Sequence, residues 1–509
     1  MANLDLDTKD QGITETSVAS TGIPGLDDIL RQGFPRGHVF LIQGAPGTGK
    51  TTLGLQFLME GIKQGERGMY VTLSETAEEL RLVSRSHKWN IDEIRLHELI
   101  STTEGLKPET QYTVFDSSEI ELGETVQAVI NEVEEFQPNR LVFDSLSELR
   151  LLAQNGLKYR RQILALKQLL KNKNCTVLLL DRAGHGMDDH GESIAHGVVS
   201  LEVNPIPYGV DRRRIRIAKL RGVNFRPGYH DYCIVTGGLV VFPRLVAHEH
   251  RLEITERSLF PGGLPELDHL LAGGLTRGTS TLILGPAGTG KSCLVSQYAH
   301  TAAKRNEKVA LYIFEESLDT YKFRAAKLGI PVNGDQFRDL IKIKPVDSAE
   351  LSAGEFISRV RDAVTKFGAK LIIIDSLNGF LHAMAGANQL VLQLHELLSF
   401  LSQHGVTTLL TESQHGMMGV GMGTPVDVSY LADTVILLRY FEAFGEVRQA
   451  ISVIKNRAGQ HERTIRELKI GPGIQIGSPL RDFHGILSGI PQYSGTKSPL
   501  MGSANENDK

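Results

Sequence analysis

Cysteine is scarce in this chain. Its only three, Cys175, Cys233 and Cys293, are widely separated and show no metal-ligand spacing, which argues against a zinc module or a disulfide scaffold. Such sparse thiol suits a reducing compartment. An excess of either charge is also missing. Lys and Arg number 55 against 59 Asp and Glu, a net charge of −4, so no global basic field exists to hold nucleic acid. The one dense basic cluster, Arg212-Arg213-Arg214, has no aromatic residue interleaved. No apolar run approaches the roughly 20 residues of a membrane span. The opening MANLDLDTKDQ lacks a basic, apolar leader pattern. The expectation is a cytoplasmic protein with no membrane partner and no nucleic-acid partner.

Glycine, by contrast, is abundant and clustered. Gly44 to Thr52 reads GAPGTGKTT, after the apolar run Val39 to Gln43 and before a segment with Leu55, Leu58, Met59 and Ile62 at helical spacing. Strand, glycine-rich turn and helix form the context of a phosphate-binding loop. Glycines let main-chain N–H groups wrap a polyphosphate without a Cβ in the way, and the helix N-terminus adds partial positive charge. Gly44, Pro46, Gly47, Thr48, Gly49, Lys50, Thr51 and Thr52 are the candidate nucleotide contacts. Lys50 can reach the outer phosphates and the Thr51 hydroxyl can ligate Mg²⁺.

The same stretch returns as GPAGTGKS, Gly285 to Ser292. Gly285, Gly288, Thr289, Gly290, Lys291, Ser292 and the following Cys293 are the second set of candidates. The offset that relates Lys50 to Lys291 also relates Leu26 to Leu267, Asp27 to Asp268, Gly33 to Gly274 and Arg36 to Arg277. Matches spread that widely indicate duplication of a whole domain.

Each copy alternates strands with helices, which predicts tandem RecA-like α/β domains, each a mainly parallel sheet flanked by helices. The expected organisation is a tail over 1–15, a first domain over 16–245, a linker over 246–260, a second domain over 261–490 and a tail over 491–509. Nucleotide belongs at the carboxyl ends of the strands. Apolar strands end there at Asp144 and at Asp375, the Walker B position for a Mg²⁺ carboxylate. Ser74-Glu75 and Glu315-Glu316 follow the strand after each loop helix.

These residues together resemble the KaiC family, over roughly 15 to 490. The most specific matches are the paired loops, Glu315-Glu316, Asp375-Ser376-Leu377, Lys219-Leu220-Arg221-Gly222 and Lys455-Asn456-Arg457. The resemblance implies a homohexamer of two stacked rings, ATP and Mg²⁺ as cofactors with ATP between subunits, and a KaiB-like or other signalling protein as partner. It further implies that the first lobe is an ATPase and the second a serine/threonine autokinase, together a timer or switch. Lys219, Arg221, Lys455 and Arg457 would reach the neighbour's nucleotide. Glu315 would be the catalytic base and a metal-site carboxylate beside Asp375 and Ser292, with Glu316 supporting it. The acceptor would be Ser429, with Thr424 as a second hydroxyl.

Three departures stand out. Ser74 occupies the place of the first glutamate, so the first lobe is expected mainly to bind ATP or to hydrolyse it slowly; Glu75 is the candidate catalytic substitute, although alternation along an extended segment would point it away from the site. Tyr430 replaces the threonine beside the acceptor. Gly495 to Lys509 shows little resemblance to the tail that recruits a stimulating partner in clock members. Two other readings share the lobe type: a RecA-like nucleic-acid-dependent ATPase, and a scaffold that uses ATP only for assembly.

Overall fold

The computed structural model describes residues 17–99, 117–153, 156–182, 190–250, 258–332, 334–382, 387–414, 428–487 and 491–495. The chain divides into two compact units. The first runs to Arg244, apart from Tyr208–Val210, which group with the second; the second starts at Leu245.

In the first unit a nine-stranded sheet runs, edge to edge, Gly238–Phe242, Tyr229–Val235, Arg212–Leu220, Gly197–Asn204, Val39–Gly44, Thr176–Asp181, Arg140–Asp144, Gly68–Thr72 and Arg95–Glu98. From Gly197–Asn204 to Arg95–Glu98 every neighbour is parallel; the other three strands are antiparallel. Val39–Gly44, VFLIQG, lies mid-sheet and is apolar on both faces, as a strand covered on both sides must be. One face packs Leu53, Phe57 and Leu58 of helix Lys50–Lys63 against Phe40 and Ile42. The other packs Val126, Val129 and Val133 of helix Ser117–Phe136 with Leu41 and Leu141. Arg212–Leu220 alternates as its RIRIAK pattern predicts, with Ile215 and Ile217 buried.

The second unit repeats this order strand for strand: Gly473–Pro479, Arg466–Gly471, Glu446–Asn456, Thr434–Ala443, Ser280–Gly285, Thr407–Ser413, Leu371–Asp375, Val309–Ile313 and Ile341–Pro345. These are the tandem α/β domains the duplication predicts.

Two local features differ from the sequence pattern. The apolar stretch from Tyr232 to Phe242 reads as one strand, but it folds as a hairpin that turns at Thr236-Gly237, where Gly237 has φ 107°. Leu245 and Ala247, at the end of the first domain and in the linker by sequence, are buried in a core cluster of the second unit, and Ala247 N donates to Glu396 Oε2 at 2.8 Å. Residues 251–257 of that linker, and both tails except 491–495, lie outside the described residues.

Candidate functional site

Each phosphate loop leaves the C-terminal end of a central strand and enters a helix through a left-handed glycine. Gly49 has φ 88° and Gly290 φ 98°. The left-handed conformation at Gly290 demands glycine, and a Cβ there would also push aside the tip of the Ile470 side chain, 1.9 Å away at Cδ1. The antiparallel strands brace the loop from outside. Tyr232 Oη donates to Thr48 O at 2.7 Å, and Tyr440 Oη to Ala287 O at 3.3 Å.

Lys50 Nζ donates to Gly44 O at 2.7 Å and Ala45 O at 3.0 Å. Lys291 makes the same pair of bonds, to Gly285 O and Pro286 O, both at 2.8 Å. Burial lowers the pKa of both lysines, that of Lys291 to about 8, against the attraction of Asp144 and Asp181 for Lys50 and of Asp375 and Glu315 for Lys291.

Beneath the first loop, Thr51 Oγ1 donates to Asp144 Oδ2 at 3.2 Å and Tyr70 Oη donates to the same oxygen at 2.6 Å. Beneath the second, Ser292 and Thr411 bond to Asp375. Burial raises the pKa of both aspartates despite these donors. Tyr70 is absent from the sequence-derived site; it is one more aromatic in a buried strand, and nothing in its neighbours marks it. Among the described residues no cluster of three or more His, Cys, Asp or Glu could hold a metal by itself. One hydroxyl and one carboxylate under a phosphate loop suit Mg²⁺, which keeps waters and shares phosphate oxygens.

The carboxylates after the second strand sit differently in the two units. Glu315 Oε1 accepts from Ser376 Oγ at 2.5 Å, and Glu315 lies within electrostatic range of Lys291. Glu316 is held instead by Arg324, through Nη2 at 2.6 Å and Nε at 3.2 Å. In the first unit the strand stops at Thr72, whose hydroxyl accepts from Glu75 N at 3.0 Å and donates to Glu75 O at 2.8 Å. The segment is therefore a turn, and the strand alternation expected from sequence does not apply. Ser74 is exposed, while Glu75 lies within electrostatic range of Asp144, Lys50 and Tyr70. The residue at the place of Arg324 is Val83, so no guanidinium draws Glu75 outward. Glu75 Oε2 is buried and has no hydrogen-bond partner among the described residues, and burial together with Asp144 raises the carboxyl's pKa. An orphaned acceptor beside the lysine and the aspartate fits a bound water or metal shell.

The remaining candidates lie elsewhere. Thr52 and Cys293 are buried inside the loop helices, and Cys293 Sγ accepts from Arg324 Nη1 at 3.6 Å. Register sets Lys219 opposite Val198, which pairs with Leu41; Lys455 is opposite Val435, which pairs with Leu282. Each therefore stands toward the start of its central strand, away from the phosphate loop of its own unit. Arg221 and Arg457 follow and are exposed. Lys219 Nζ donates to Glu192 O at 2.5 Å and Lys455 Nζ to Ser429 O at 2.9 Å, the same bond in both copies. Ser429 is half-buried and Tyr430 is 53 % exposed. Thr424 lies outside the described residues.

Duplicated sheets of this order, each carrying a glycine loop, a buried lysine and a hydroxyl–carboxylate pair, define a tandem RecA-like P-loop protein. A family model described as the KaiC ATPase matches residues 19–246 and again 260–481, and the chain belongs to that family. It is similar to circadian clock protein KaiC3 of Synechocystis sp., 27 % identical over 93 % of this chain and 94 % of that protein. It is also similar to the circadian clock oscillator proteins KaiC of Synechococcus elongatus, 28 % identical over 92 % and 91 %, and of Thermosynechococcus vestitus, 28 % identical over 95 % and 93 %. Membership of this ATPase family implies nucleotide binding. No described helix is long and apolar enough to cross a membrane.

Proposed function

We propose that this chain is an ATP-dependent hydrolase and serine autokinase that assembles as a hexamer and works as a signalling timer or switch in the cytoplasm. The observation that carries the reading is the repeated bond under each loop, Thr51 to Asp144 and Ser292 to Asp375, beside a lysine whose charge is costly without an anion. Mg²⁺·ATP, when bound, supplies the transferable phosphoryl group and the metal charge that neutralises it.

The residues divide the work as follows. Lys50 and Lys291 release their loop carbonyls and turn to the outer phosphates. Thr51 with Asp144, and Ser292 with Asp375, take the metal. Glu75 accepts a proton from the attacking water in the first lobe. Glu315 accepts the hydroxyl proton of the acceptor in the second, and Ser376 orients it. Glu316 holds Arg324 and so fixes the turn that carries Glu315.

Ser429 stands away from the phosphate loop of its own unit, and so do Lys219, Arg221, Lys455 and Arg457. Transfer between subunits follows, with the acceptor and the basic residues offered to a neighbour's nucleotide. A KaiB-like or other signalling protein would read the phosphorylated state. Incubation with Mg²⁺ and γ-labelled ATP tests the reading. Label on Ser429, lost in Lys291→Ala and Ser429→Ala, is the expected result. Assembly without transfer would leave the scaffold reading, and hydrolysis only with single-stranded nucleic acid would leave the nucleic-acid machine.

A further inference from the structure

We propose that the second unit carries a binding site for a small polyphosphate anion in a cleft that is remote in sequence from its phosphate loop. The cleft, of about 300 Å³, lies between edge strand Ile341–Pro345 and the C-terminal end of helix Ala353–Thr365. Lys342 and Lys344 enter it from one face of the strand, Lys308 precedes the neighbouring strand, and Lys366 follows the helix. Among the described residues Asp362 is the only carboxylate lining the cleft, and it is bonded to Lys366 at 2.8 Å. Among the described residues no carboxylate pairs with Lys308, Lys342 or Lys344. The ammonium groups of Lys342 and Lys308 sit 3.8 Å and 5.1 Å from the centre of the Phe367 ring. Four cations and one carboxylate leave an uncompensated charge of about +3 in a concave space.

The first unit is an internal control. Ala310 pairs with Lys342 and Tyr312 with Lys344; at the same places Met69 pairs with Arg95 and Val71 with His97. Arg67 lies over Phe136 as Lys308 lies over Phe367. There, however, Glu132 accepts from Arg95 Nε at 2.9 Å and its other oxygen lies 3.6 Å from His97 Nδ1. Its counterpart in the second unit is Ala363, and the counterpart of Glu135 is Lys366. One copy neutralises its cleft and the other has replaced both acids.

The anion is specified by what the cleft lacks. The Phe367 ring is already engaged by two lysines, which leaves it poorly placed to stack on a nucleobase. Lysines on an edge strand oppose strand addition, which disfavours an extended acidic peptide. Linked phosphate groups match both the charge and the volume.

The test reads lysine acylation residue by residue on the full chain, with both phosphate loops pre-filled by a non-hydrolysable ATP analogue. Inorganic tripolyphosphate at roughly ten times its dissociation constant should slow acylation of Lys342 and Lys344 about ten-fold. Lys63, exposed on the first unit, should be unchanged. Ala363→Glu restores the acid of the first unit and should remove the protection. Lys342→Glu should independently abolish the protection of the remaining cleft lysines, Lys344 and Lys308, if Ala363→Glu fails to fold. Protection by excess ATP analogue as well would identify nucleotide phosphates as a second source of the same anion. Protection by oligoglutamate and not by tripolyphosphate would overturn the proposal in favour of an acidic peptide. Unchanged acylation with either would reduce the lysines to guards of a sheet edge.

Discussion

Lys455 Nζ donates to the main-chain oxygen of Ser429 at 2.9 Å and to Ala432 O at 2.6 Å. The lysine thereby ties the segment bearing the proposed acceptor to the strand beside it. A hydrogen bond from a charged donor contributes roughly 1.5–3 kcal/mol. Lys455→Met is expected to slow labelling of Ser429 by about 10- to 100-fold at saturating nucleotide. Single-turnover labelling and a binding titration on one preparation check this.

Glu75 is expected to be the base of the first lobe. Glu75→Gln should lower steady-state hydrolysis by about 10²- to 10⁴-fold in a background whose second lobe is silenced by Glu315→Gln. Ser74→Glu should change it little, because Ser74 is exposed and Glu75 faces Lys50. A large gain in Ser74→Glu would assign the base to the first position after all.

The pH dependence has a definite sign. Burial and Asp144 raise the Glu75 pKa above the ordinary carboxylate value, so the basic form is lost earlier as pH falls, and the acid limb of first-lobe hydrolysis should lie above pH 4.5. Lys291 has its pKa lowered to about 8, so nucleotide-free subunits lose this charge as pH rises through 8. Second-lobe affinity for a fluorescent ATP analogue should fall over that interval. In the nucleotide-free fold, stability contributed through Lys291 should rise with pH between 8 and 10.5, because the unfolded chain then binds more protons.

Arg140 is fully buried and donates to Glu66, to Ser20 O at 2.6 Å and to Phe57 O at 2.9 Å. Arg140→Ala would take one of two guanidinium partners from Glu66, which keeps Arg36, and a side-chain donor from Ser20 O and Phe57 O. A loss of about 1–3 kcal/mol is expected in urea unfolding of the first unit. Leu371 holds the equivalent place in the second unit, where Arg305, at the place of Gln64, holds Glu307 and Pro261 O instead, so Arg140→Leu together with Gln64→Arg should cost much less than Arg140→Ala alone.

Much of this architecture is legible in the residues. A glycine loop between an apolar strand and a helical pattern has few other uses, and its repetition at a constant offset exposes the duplication. The carboxylates ending the Arg140 and Leu371 strands are legible for the same reason: an apolar run that closes on Asp is costly unless the Asp has work to do. What escapes is set by side chains distant in sequence. Glu75 faces the loop because a Thr72 turn replaces strand geometry and because Val83 offers it no cation. Tyr70 reaches Asp144 only once two strands are side by side. The lysine cleft depends on residues from three segments, each an ordinary surface charge when read alone.

The most direct test is mass spectrometry of the purified chain after incubation with Mg²⁺ and ATP. The account predicts one principal phosphorylated residue, Ser429, with none on Tyr430, and loss of the modification in Glu315→Gln with nucleotide still bound. Phosphate on Tyr430 alone, or undiminished labelling of Ser429→Ala, would contradict it.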